Sequence, residues 1–205
     1  EQKPFGKLAI AACDILMITR EHLDPVVREI EQSTGIPAAN ILINCTHTHH
    51  APSTMRVHGY GADEVFTRRV QRGLVQAVQA AHANLSEEDC QLLFHLGEEK
   101  TVGQNSRIRL ADGSIYWVGP HDQFVRPTGP FDPELPVLAF RDTSARVRAL
   151  IFNHSTHTIG SRAPGQRSPG FYGLAAQDLE AELGGPVCFL EGASGSTHNL
   201  TLSGA

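Results

Sequence analysis

Short unbroken apolar runs alternate along this chain with longer stretches that repeat at helical spacing, and each predicts an element. The run Leu8 to Leu16 is almost wholly apolar and predicts a buried strand. Val26, Val27 and Ile30 then predict a helix over Asp24 to Gln32, stopped by Thr34-Gly35-Ile36-Pro37. Asn40 to Cys45 predicts a second strand. A third stretch, Ala62 to Ala83, carries Val65, Phe66, Val70, Leu74 and Val78 along one face, as an amphipathic helix does.

The middle of the chain changes rhythm. Gln91 to Leu96 predicts a strand, and Arg107 to Leu110 and Ile115 to Val118 predict a hairpin around Asp112-Gly113. Gly119 to Pro136 is rich in Pro and Gly and predicts a loop. Val137 to Phe140 and Val147 to Phe152 follow as strands, then a helix over Gly173 to Leu183 and a strand over Pro186 to Leu190. The pattern predicts one α/β domain over 1–205, with a mixed or largely parallel sheet flanked by helices. A β-hairpin-rich insertion, about 90–142, interrupts it.

A length of 205 residues suits one such domain and is short for two. No apolar run reaches the length of a membrane-spanning helix. The formal charge of −5 and the scattered Lys and Arg residues argue against a nucleic-acid surface. Cys13, Cys45, Cys90 and Cys188 form no C-x-x-C pair, and three sit in apolar runs as small buried hydrophobes do. The redox compartment stays open. The chain begins at Glu1, and no signal pattern precedes its first apolar run.

Chemistry collects at the ends of predicted strands. The first strand runs into Cys13-Asp14, the second into Thr46-His47-Thr48-His49-His50. The strand over Val147 to Phe152 runs into Asn153-His154-Ser155-Thr156-His157, and the last into Glu191-Gly192-Ala193-Ser194-Gly195. Open α/β sheets bind ligands at the carboxyl ends of their strands. In an extended THTHH segment, His47 and His49 face one side and His50 the other. His47 and His49 can therefore share a metal site, His49 as ligand or general base; a solvated histidine-rich loop is the bland alternative.

His154 and His157 repeat the arrangement, one as a ligand and the other as packing or support. The loop EGASGSTHN, Glu191 to Asn199, can present backbone N–H groups to an oxyanion, or serve only as a tight turn. Ser194 and Ser196 are candidate nucleophiles, without a G-x-S-x-G elbow around either. Asp14 is a ligand, an orienting carboxylate or a helix cap. Arg107 is a clamp for a carboxylate or phosphate, or an exposed hairpin arginine.

Taken in order, these segments resemble the neutral/alkaline non-lysosomal ceramidase family. The matching runs are STGIPAANILINCTHTHHAP, VGQNSRIRLADGS, GPFDPELPVLAFRD, LIFNHSTHTIG and PGFYGLAAQDLEAELGGPVCFLEGASGSTHN. The resemblance implies that His47 and His157 bind a zinc ion, with His49 beside the reacting centre and Arg107 contacting substrate. It implies further zinc ligands, a carboxylate and a tyrosine, from beyond the end of this sequence, and cleavage of the amide of N-acyl-sphingosine. Two departures stand out: His198 occupies the position of the family's loop serine, with Ser196 two residues early. Arg167 or Ser168 stands where the family has an aspartate.

The expectation is a zinc-dependent hydrolase of an amide or ester acting on a small-molecule or lipid-like substrate. His47 and His157 hold one Zn2+, while His49, Arg107, Ser196 and His198 form the catalytic set. Asp14, His154 and Glu191 act as support or extra ligand. A non-catalytic relative that binds a carbohydrate or lipid headgroup is the alternative. A phosphoester hydrolase would need more carboxylates near the histidines. The compartment is left open, with an exported or periplasmic setting compatible with the resemblance; oligomeric state and substrate identity are left open too.

Overall fold

Fourteen principal elements are seen in the computed structural model, which describes residues 6–86, 88–117, 121–160 and 165–199. The first are β1 (Ala9–Cys13), α1 (Arg20–Thr34), β2 (Ile41–Cys45) and α2 (Glu64–Ala83). Then come β3 (Gln91–Glu98), β4 (Gly103–Asn105), β5 (Arg107–Leu110), β6 (Ile115–Trp117) and β7 (Phe124–Pro127). The chain closes with β8 (Glu134–Arg141), β9 (Val147–His154), α3 (Gly170–Leu183), β10 (Val187–Glu191) and β11 (Thr197–Asn199).

Two parallel pairs set the frame. β1 pairs with β2, from Ala9 opposite Ile41 to Cys13 opposite Cys45. A parallel pair needs a crossover, and α1 supplies it. Its first amides bond the Thr19 carbonyl, so the helix starts a turn before the predicted Asp24 and takes in Pro25. Gly35 ends it at φ 71°, where a side chain is disfavoured. α2 is capped by the Asp63 carboxylate, which accepts from the Phe66 amide at 2.9 Å. Both helices bury Val26, Ile30, Leu74, Val75 and Val78 against Ala9 of β1.

The second frame is a four-stranded mixed sheet ordered β10-β9-β8-β3. β10 and β9 are parallel, with α3 as crossover, while β8 and β3 add on antiparallel. Phe152, Tyr172, Val187 and Phe189 form its core, and the Tyr172 and Phe189 rings stack at 3.9 Å. The Asn44 carboxamide joins the frames by donating to the Glu191 carbonyl at 3.2 Å and accepting from its amide at 2.9 Å. That side chain stands in for a peptide group, so the ends of β2 and β10 meet.

The fold is α/β with mixed sheets, and among the described strands only β1–β2 and β9–β10 are parallel. β3 and β8 belong to the main sheet, so the inserted strands are β4 to β7. A separate sheet ordered β6-β5-β7 includes β7, which falls in the stretch predicted as loop. β4 and β11, three residues each, pair antiparallel. Strands that short carry no hydrophobic period to detect. Val118, predicted to end the hairpin, lies outside the described residues. The four cysteines are free. No helix among the described residues is long and apolar enough to cross a membrane.

Candidate metal centre

The alternation in Thr46-His47-Thr48-His49 sends threonines inward and histidines to a common opening. Thr46 and Thr48 are 2% and 1% exposed. The Thr46 hydroxyl donates to Asp14 Oδ1 at 3.0 Å, and the Thr48 hydroxyl to the Ser168 carbonyl at 2.7 Å. Thr158, also buried, donates to the Thr46 carbonyl at 2.8 Å and ties the two histidine segments together. Gly170 has to be glycine: its φ is 75°, and a Cβ there would meet Thr158 Cγ2 at 2.6 Å.

His47 has φ 61°, a left-handed conformation uncommon outside glycine. Two bonds hold it there. Its amide donates to the Ile15 carbonyl at 3.1 Å, and Nδ1–H donates to the Leu16 carbonyl at 2.9 Å. So His47 and His49 reach the same side across a kink, where the sequence predicted an extended strand end.

The three imidazoles of His47, His49 and His157 converge. His47 Nε2 lies 3.1 Å from His157 Nε2, and His49 Nε2 lies 2.8 Å from the same atom. One nitrogen from each ring falls within 4.8 Å of the others, so the group could hold a metal ion. The His157 amide donates to the Thr197 carbonyl at 2.9 Å, and its Nδ1–H donates to the Ser194 carbonyl at 3.3 Å.

These contacts fix the proton positions. A carbonyl can only accept, so His47 and His157 each carry their proton on Nδ1 when neutral. Their Nε2 lone pairs then point at one another with no proton between them. Burial first, and then the neighbouring rings, push His49 down to about 4. His157 is lowered by burial and by His47, opposed by the Ser194 carbonyl. Neutral rings with converging lone pairs are what a cation requires. Tetrahedral zinc, with Zn–N of about 2.0–2.1 Å, sets its ligand nitrogens roughly 3.3 Å apart.

The other predicted residues take separate places. His154 is fully buried, its Nε2 on the Glu99 carbonyl at 3.2 Å and its Nδ1 bonded to the Tyr172 hydroxyl, so both nitrogens are occupied away from the cluster. Asp14 accepts from Thr46 and caps no helix; burial raises its acid. Glu191, at the tip of β10, is pushed up to about 8 by burial. Its oxygens lie outside hydrogen-bonding geometry, although the Ser194 side chain is near enough to oppose the shift. Neither carboxylate joins the histidine group.

His198 stacks on His157 with ring centroids 4.8 Å apart and planes at 22°, brought there by a parallel bridge between the two residues. It is 4% exposed and its Nδ1 is buried without a partner. Burial, His157 and then Arg107 hold it down at about 4. Arg107 itself is exposed at the start of β5. Ser196 is exposed too, and its carbonyl accepts from the Ser106 amide and hydroxyl; no contact brings its side chain to the histidines. Trp117 and the buried threonines Thr46, Thr48 and Thr158 went unread in the sequence. Trp117 meets His198 edge-on at 5.5 Å, and the buried threonines root the cluster. The T-H-T-H alternation was the available signal for the threonines; Trp117 carried none.

No protein-family profile matches the sequence, and no curated protein does. Among solved structures, the neutral ceramidase from Pseudomonas aeruginosa superposes with a TM-score of 0.70 at 19% identity, covering 92% of this chain. A ceramidase complexed with C2 gives a TM-score of 0.72 at 22% identity over 91% of it. The fold is ceramidase-like. At these identities the likeness is one of fold, and this chain spans 30% of the length of each ceramidase. Within the ceramidase-like fold the histidines sit where the two frames meet, at the tips of β2 and β9.

Proposed function

We propose that this chain carries the metal centre of a zinc-dependent hydrolase that cleaves an amide or ester bond. The observation that supports it is the convergence of three Nε2 atoms, two of them on rings whose Nδ1–H donates to a backbone carbonyl and so leaves Nε2 as the acceptor. Three histidine nitrogens are a ligand set that catalytic zinc uses, and His47, His49 and His157 would hold the ion. With zinc held there, the site gains a Lewis acid for a carbonyl oxygen and a water of lowered pKa.

The chain's own residues supply the rest. Leu16 and Ser194 orient the ligand rings through Nδ1, which raises the basicity of the facing nitrogens. In this reading His198, stacked on His157 and held neutral by burial, takes or returns a proton at the edge of the cluster. Arg107 holds a polar group of the substrate beside it. Ser196 has no part in this reading. The ceramidase-like fold and the motif resemblance favour a lipid-like amide as substrate.

The test is metal content followed by turnover. Purified chain is expected to retain about one zinc, to hydrolyse members of an amide and ester panel, and to lose both with His157→Ala. Zinc absent above background overturns the metal centre. Bound zinc without turnover across the panel would favour a binding protein for a carbohydrate or lipid headgroup.

A further inference from the structure

We propose that the outward face of the β5–β6–β7 sheet is a subsite for a small anionic amphiphile, whose acid group lies on Arg109 and Arg126 and whose apolar part lies on Trp117 and Ile115. As a statement about substrate it rests on the hydrolase reading and narrows it.

The register puts these residues together. Arg107 is opposite Trp117, and Arg109 is opposite both Ile115 and Arg126. Residues directly opposite in an antiparallel pair share a face. The reverse face carries Ile108 and Leu110, 1% and 4% exposed, so the arginine face is the outward one. Trp117 and Ile115 are 61% and 65% exposed.

Two features mark this face as unfinished. Arg109 and Arg126 are like charges paired across strands, an arrangement that costs stability. None of the three arginines forms an ion pair with an acid among the described residues. A carboxylate or phosphate between two guanidiniums accepts from both and removes the repulsion.

Position ties the face to the histidines. Trp117 touches His198 at 5.5 Å, and His198 stacks on His157 at 4.8 Å. A ligand anchored on the arginines needs to pass only two rings to reach the cluster. An anionic bilayer fits less well as occupant, because a chain of formal charge −5 is repelled by it as a whole. Two opposed guanidiniums, Arg109 and Arg126, suffice for one acid group.

Trp117 is the chain's single tryptophan, so its emission reports on this face alone. The zinc-loaded chain is titrated with decyl phosphate below its micellar concentration, and with decyl maltoside as the neutral match. A saturable blue shift is expected with decyl phosphate and little response with the maltoside. Arg109→Gln/Arg126→Gln should weaken decyl phosphate binding ~10-fold or more, while Arg126→Lys keeps most of it. Circular dichroism checks that each variant folds.

Equal responses to both amphiphiles, or an unchanged double variant, would overturn the proposal. A shift seen only with phosphatidylcholine–phosphatidylserine vesicles would overturn it in favour of bilayer docking. The readout is emission and not turnover, so a chain that binds decyl phosphate but hydrolyses nothing sinks the hydrolase reading and leaves the subsite standing. Turnover without any emission shift does the reverse.

Discussion

The histidine cluster and the arginine face adjoin through His198 and Trp117, yet they are built by opposite means. Each ring of the cluster descends from a buried hydroxyl or a backbone carbonyl: Thr46, Thr48 and Thr158 root the segments, and Leu16 and Ser194 fix the tautomers. The arginine face has exposed side chains, opposed like charges and few internal bonds. A pocket that must hold a cation gains from rings already in place, because little reorganisation follows binding. A face that must accept an acid group gains from arginines left unneutralised. Rigidity and incompleteness here serve neighbouring tasks.

Substitutions can break that contrast, and the largest effect is expected in the cluster. His157→Ala removes the nitrogen shared by both close contacts, and zinc affinity by competition with a chelator should fall by more than ~100-fold, beyond the loss typical of an outer-shell partner. A fall of only a few-fold would mean the remaining two rings suffice. Thr158→Val removes the bond between the two histidine segments and strands a buried carbonyl. Chemical denaturation should show a loss of ~1–3 kcal/mol, with weakened zinc binding in the same variant.

Glu191→Gln probes the boundary through pH. The Glu191 acid is raised from 4.5 to about 8 by burial, so the folded chain keeps a proton that the unfolded chain has lost. Stability therefore falls as pH climbs through that window. Thermal melting of Glu191→Gln should lack this decline and exceed the parent at pH 8. A parallel decline in both chains would show that Glu191 is ionised in the fold.

The smallest change belongs to the arginine face. Arg126→Gln should leave stability unchanged or raise it by up to ~0.5 kcal/mol, since it removes one of two opposed charges. A clear loss in denaturation would mean that Arg126 is structural, and the contrast between the two regions would narrow.

Much of the frame was legible. The apolar runs located β1, β2, β9 and β10, helical spacing located α1 and α2, and α3 was read as well, with starts displaced where Thr19 or Gly170 began a helix sooner. β4, β7 and β11 were not, because strands of three or four residues carry no period of their own. These three also lack a hairpin signal like the Asp112-Gly113 that revealed the equally short β5 and β6. The site was legible by parts. The histidine pairs advertised themselves at strand ends, whereas Trp117 beside His198 and the spent nitrogens of His154 had no local signature.

By itself the sequence determined which residue types stand at the tips of which strands, because hydrophobic rhythm is a local property and strand ends follow from it. Tertiary structure alone decided that His47 meets a ring 110 positions away, and which nitrogen of each ring faces the other. That choice rests on the carbonyls of Leu16 and Ser194, and a carbonyl's position in space is written in no single stretch of the chain.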